Sequence, residues 1–190
     1  YITKKNTNRF IFDYSAGLLQ LFPVFFQVAA IILFGFSLWT YSHFNNLQST
    51  AVVLGVIIGF VTSGGFVQVI GKQVSYYWYN KDYHMARYST ISIIKNGTIT
   101  IIGFFLFSLI VNFIIPLYSF RFVVIAFMYA LFIGILLLVL APLYALKQKW
   151  MLSVTVFVGT AIALLLHFNT NLHPYFIHWI GILITYPRLT

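Results

Sequence analysis

Apolar residues run through this chain in long stretches broken by short polar clusters, and the stretches have the length of membrane crossings. Between Asp13 and Lys72 no residue is charged, an interval too long for one helical span of roughly 20 residues and long enough for two. The polar segment 40–50 divides it, predicting helices over about 12–41 and 51–71. Lys95 and Arg121 bracket a third span, about 96–118, and Arg121 and Lys147 a fourth, about 122–144. A fifth, about 150–168, and a sixth, about 174–188, are separated by the polar segment 169–174. The fold class read from this pattern is all-α: a polytopic membrane protein, one bundle of six transmembrane helices. The start at Tyr1 and the short sixth span read as a piece of a longer chain.

Composition sharpens the picture. Only 7% of residues are charged and 61% are hydrophobic, whereas a soluble domain carries about a quarter of its residues as charges. The 11 basic and 2 acidic residues form no contiguous basic face, so nucleic acid is not an expected partner. Placing both termini in the cytoplasm puts every basic residue except Arg121 on the inner side, as the positive-inside rule requires. The Tyr76-Tyr77-Trp78-Tyr79 run beside Lys72 and Lys81 fits an interfacial aromatic belt. The localisation implied is a cell membrane, crossed several times.

In lipid, polar and small residues mark the helix faces that meet protein or water. Asp13, Gln20 and Gln27 recur every seven residues along helix 1, near Pro23, which predicts a kink. Their stripe is either packing glue or the wall of a water-filled cavity. Helix 2 carries Gly55, Gly59 and Ser63 at the spacing that lets helix backbones approach closely. A second helix-2 stripe, Gly64, Gln68, Lys72 and Tyr76, runs towards the inner mouth. There Lys72 is either a snorkelling anchor or a cation facing the cavity of Gln20 and Gln27. Ser108 and Asn112 lie one turn apart on helix 3, and Ser153, Thr160 and His167 share a face of helix 5. Helix 4, apolar from Phe122 to Ala141, is expected to face lipid.

No catalytic constellation is found, and the chain reads as a non-enzyme. The two acids, Asp13 and Asp82, fall on different elements, so paired acid and base chemistry has no carboxylate pair. His43, His84, His167, His173 and His178 form no zinc-binding helical pair. There is no Cys, no phosphate loop, and neither a cofactor nor a metal is implied. Ser63-Gly64-Gly65 reads as a packing or flexing point.

The interval 72–95 is the longest polar connection, expected to form a cytoplasmic elbow with Asp82 capping a short interfacial helix. Asp82, Tyr83, Ala86 and Arg87 resemble the G-x-D/N-Y-x-x-A-R/K pattern after the second helix of the multidrug/oligosaccharidyl-lipid/polysaccharide exporter superfamily, with Asn80 in place of the usual Gly. The Gly64-Gly65 pair is similar to a segment of the polysaccharide flippases and sporulation protein B relatives. Such exporters consist of two six-helix bundles with cytoplasmic ends, so the resemblance implies that residues 1–190 are one bundle, half of a larger transporter. It further implies alternating access around a central cavity, with a second bundle or an oligomeric partner opposite. Within that superfamily the scarcity of acids favours an anionic cargo, a polysaccharide or lipid-linked oligosaccharide. The candidate lining is then Asp13, Gln20, Gln27, Gln68, Lys72 and Asn112, with Lys95 nearby. Membrane lipid is the other expected partner. The alternatives are a cation-coupled multidrug exporter using Asp13, and, in another class, a membrane enzyme or scaffold of envelope synthesis in which His167, His173 and His178 converge.

Overall fold

The structure is a computed structural model that describes residues 25–146 and 149–185. Asp13, Gln20, Pro23 and Lys147 lie outside the described residues, as does Arg188. What is described is helical: α1, seen over Phe25–Phe34, α2 (Asn46–Tyr79), α3 (Tyr83–Ile114), α4 (Phe120–Ala145), α5 (Lys149–Asn169) and α6 (Pro174–Ile184). Among the described residues three helices, α2, α3 and α4, are long and apolar enough to cross a membrane, against the six spans expected. The described apolar stretches of the other three are shorter. The described residues therefore form a helix-only architecture consistent with a multi-pass membrane protein.

Helix ends follow local chemistry. α1 stops at Gly35 and does not run on to residue 41, because Gly35 takes φ +66°, a left-handed conformation that glycine adopts without steric cost. The chain then reverses in a tight turn, with Ser37 N donating to Thr40 O at 2.8 Å and Ser42 N donating to Gly35 O at 2.9 Å. Phe36 and Leu38, in this turn, are completely buried. Asn45 opens α2 with a capping box, its side chain accepting from Gln48 N while the Gln48 side chain accepts from Asn45 N.

The expected elbow over 72–95 is instead helix on both sides of a sharp turn. α2 continues unbroken through Lys72 to Tyr79, and α3 begins at Tyr83. The turn between them is made by Asn80, Lys81 at φ 57° and Asp82. Asp82 caps the whole of α3 by accepting from Met85 N at 3.1 Å. At 1.5 Å per residue, the 34 residues of α2 measure about 50 Å against a hydrocarbon layer of roughly 30 Å. The surplus carries the hairpin past the level of Lys72. At the opposite end α3 stops at Ile115, ahead of Pro116, where the residue before a proline is steered out of helix. The turn into α4 is held by Asn112, whose side chain donates to Tyr118 O at 3.1 Å and accepts from Tyr118 N at 3.0 Å.

α4 is the centre of the molecule, which corrects the lipid-facing position expected of it. Its buried positions include Ala126, Tyr129, Ala130, Ile133, Gly134 and Leu138, and it touches α2, α3, α5 and α6, most extensively α2. One apolar cluster joins α4 to Phe36, Leu38, Ala163, Ile177 and Ile182, and a second joins it to Ile70, Val74 and Ile101. An apolar helix has the same sequence signature whether it meets lipid or protein; what separates the two is the row of small residues Ala126, Ala130 and Gly134, which faces Gly55 and Gly59 of α2.

Candidate functional site

The α2–α4 seam fixes the frame on which the remaining groups sit. A Cβ on Gly55 would collide with the Ala126 carbonyl oxygen and lie 2.9 Å from Tyr129 Cβ, and one on Gly59 would lie 2.9 Å from Ala130 O. Ser63 continues this face, buried, with its hydroxyl donating to Gly59 O at 2.6 Å. These three residues are packing positions.

Gln27 and Gln68 have different surroundings. Gln27 is buried, and both ends of its amide are used inside the protein: Nε2 donates to Thr160 Oγ1 of α5 at 2.5 Å, and Oε1 accepts from Leu38 N at 2.8 Å. It ties α1 and the buried turn to α5. That replaces the cavity role its stripe left open, because a side chain with both polar groups spent and no solvent access has nothing left for a cargo. Thr160 and Ser153 of the expected α5 stripe are likewise buried, and His167 stacks on Phe36 with ring centroids 4.5 Å apart.

Gln68 and Lys72 are exposed on α2, and Gly64, four residues earlier, has open space where a Cβ would point. A strip with polar ends and little side chain thus runs along the outside of α2 to the hairpin end, continuing to the exposed Tyr76. On α3, Ser92, Asn96 and Thr100 recur at four-residue spacing and are also exposed. Asn112 is spent on the α3–α4 turn. It also rims a groove of about 250 Å³ between α2, α3 and α4, walled mainly by Leu54, Ile58, Phe104, Phe105 and Phe127. Ser108 there donates to Phe104 O, and the exposed Tyr118 also lines the groove. This groove is mainly apolar and suits hydrocarbon, its polar lining being Ser108, Asn112 and Tyr118.

The residues of the family-like loop split in role. Asp82 is the α3 cap, Tyr83 packs edge-on against Trp78 with centroids 4.8 Å apart, Ala86 is buried, and Arg87 is exposed. Lys95 is exposed as well. Among the described residues no three side chains of His, Cys, Asp or Glu are placed to share a metal. His173 caps α6 by accepting from Tyr175 N, which points it to a structural task, while His167 and His178 both pack against Phe36.

One polar pair has no signature in the sequence. Tyr129 of α4 and His178 of α6 are fully buried and share a short hydrogen bond between the tyrosine hydroxyl and Nδ1. Tyr129 stands alone in an apolar run and His178 on a helix with no other polar periodicity, so only a residue-by-residue demand for partners could have joined them.

No known protein family, no curated protein and no solved structure matches this chain.

Proposed function

We propose that the chain is one six-span bundle, with both ends cytoplasmic, of a transporter that exports or flips a polysaccharide or lipid-linked oligosaccharide by alternating access. The observation that carries this reading is the strip along α2 made by exposed Gln68 and Lys72 and by half-buried Gly64, with open space where its Cβ would point. An amide exposed on the outer face of a membrane helix has no hydrogen-bond partner in hydrocarbon, and polar groups at such depth ordinarily meet a water-filled cavity or another protein. A cation at the mouth of the strip and amides within it suit an anionic, hydroxyl-rich cargo. The sideways apolar groove between α2, α3 and α4 suits the hydrocarbon tail of a lipid-linked one. The resemblance of Asp82, Tyr83, Ala86 and Arg87 to the exporter superfamily points the same way.

Residues 1–190 hold no Cys, so the test is direct once any cysteine elsewhere in the intact protein is replaced. Single cysteines are placed at Gln68, at Asn96 and, as a lipid-facing control, at the exposed Leu165 of α5, in the intact protein that carries this chain. A membrane-impermeant methanethiosulfonate reagent should modify Q68C and N96C and spare L165C, and a lipid-linked oligosaccharide should slow the modification of Q68C. Equal protection of Q68C and L165C refutes the cavity. A Q68C that is accessible but protected only by a lipophilic cation assigns the cavity to multidrug export instead.

A further inference from the structure

At the hairpin end of the bundle lies a second pocket, of about 280 Å³, separate from the outer groove. Its walls include Val74 and Trp78 of α2, Ala86, Arg87 and Ile91 of α3, and Leu146 just past α4. Among the described lining residues Arg87 is the one charge. Among the described residues Arg87 has no ion-pair partner, and Asp82, the one described acid, accepts from Met85 N at the α3 cap. The pocket is therefore an apolar slot with a guanidinium at its edge, closed at the tip by the Trp78–Tyr83 contact.

Its depth is fixed by the helix that bears it. Trp78 lies about 9 Å of helix beyond Lys72, which brings it to the headgroup layer when Lys72 marks the edge of the hydrocarbon. Exposed Trp78, Tyr79, Tyr83 and Tyr88 ring the same end, the residue types that settle at that layer. Lys72, Lys81 and Lys95 add positive charge around it, a field that concentrates anionic lipid. A guanidinium binds a phosphate through two parallel hydrogen bonds, and the apolar wall beneath it accepts glycerol and the first methylenes of an acyl chain.

The geometry points to a binding site for one anionic phospholipid, its headgroup phosphate on Arg87 and its upper chain between Trp78, Ile91 and Leu146. The bound lipid fastens the hairpin to the end of α4. This site requires that the hairpin end lie at a membrane surface and does not require that the protein be a transporter.

The test uses the intact protein reconstituted in nanodiscs of equal phosphatidylglycerol and phosphatidylcholine, then delipidated in mild detergent, with retained lipid identified by native mass spectrometry. Wild type should keep one phosphatidylglycerol per chain in preference to phosphatidylcholine. R87Q should weaken that retention by about tenfold or more, the scale of one charge-assisted hydrogen bond, and R87K should weaken it less. The triple variant K72Q/K81Q/K95Q should keep the tightly held lipid, since its lysines supply only the surrounding field. I91W, which fills the slot and leaves Arg87 in place, should expel the lipid, and it serves if R87Q does not fold. Undiminished retention in R87Q or I91W overturns the site. So does a loss in the triple variant as large as that in R87Q, which would mean diffuse attraction. Retention of a lipid-linked sugar in place of phosphatidylglycerol would make the pocket part of the cargo path and equally overturn it.

Discussion

Replacing Gly55 by Ala tests whether the α2–α4 seam organises the bundle. The added methyl would collide with the Ala126 carbonyl oxygen and lie 2.9 Å from Tyr129 Cβ, where about 3.4 Å or more is needed for ordinary contact. Neither neighbour can turn aside, because one is backbone and the other the root of a side chain buried against α6. The helices must part by about 0.5–1 Å, and a gap of that size forfeits a quarter to a half of the dispersion attraction of each atom pair across it. An insertion into a tight core costs about 1–3 kcal/mol, and a rigid obstacle places G55A near the top of that range. Alanine recovers about 1 kcal/mol of helix propensity, leaving a net loss of about 2 kcal/mol, about thirtyfold in the unfolding equilibrium. G64A supplies the internal control: its Cβ meets nothing within 4 Å, so only the propensity gain of about 0.5–1 kcal/mol remains. Reversible unfolding of the intact protein in mixed micelles, followed by tryptophan fluorescence, measures both. If G55A is no less stable than G64A, α2 and α4 do not pack as described and the central place of α4 falls with them.

Two further substitutions probe the α1 end. Q27A leaves Leu38 N and Thr160 Oγ1 without their amide partner in a buried setting; it should cost about 2–3 kcal/mol, and a double-mutant cycle with T160V should return a coupling of about 1 kcal/mol in the same unfolding assay, whereas additivity would mean that the two side chains do not meet. G35A places a β-carbon at φ +66°, 2.7 Å from Ser42 Oγ, and should cost about 1–2 kcal/mol from the left-handed strain alone, read as faster amide exchange at Ser37 and Ser42; unchanged exchange would mean that the turn does not depend on that conformation.

The positions of the charges bracket the apolar stretches because charge and hydrocarbon exclude one another; Asp82 reads as a cap from its residue type and place in the chain, and it caps α3. What charge does not mark is where helix stops. Residues 72–95 are polar, yet Lys, Gln, Ala, Arg and Met are good helix formers, so α2 and α3 leave the hydrocarbon without unwinding and turn only at Asn80, Lys81 and Asp82. Gly35 is a readable stop, hidden because an apolar run on either side of it looks continuous to a hydropathy window. The partners of Gln27 are not readable at all: Thr160 is 133 positions away, and spacing along one helix places a side chain on a face without naming what lies opposite.

That difference separates the helix-1 and helix-2 stripes, which look alike in the sequence. A glutamine in a membrane helix must be satisfied somewhere, by protein or by water. For Gln27 the protein supplies both bonds, so its presence is explained by folding and carries no information about a cargo. Gln68 is exposed, and folding of the described residues does not account for an amide there beside a glycine with open space and a lysine one turn on. The functional weight therefore moves from helix 1 to the outer face of α2, and the accessibility of a cysteine at position 68 decides more about this protein than any substitution at position 27.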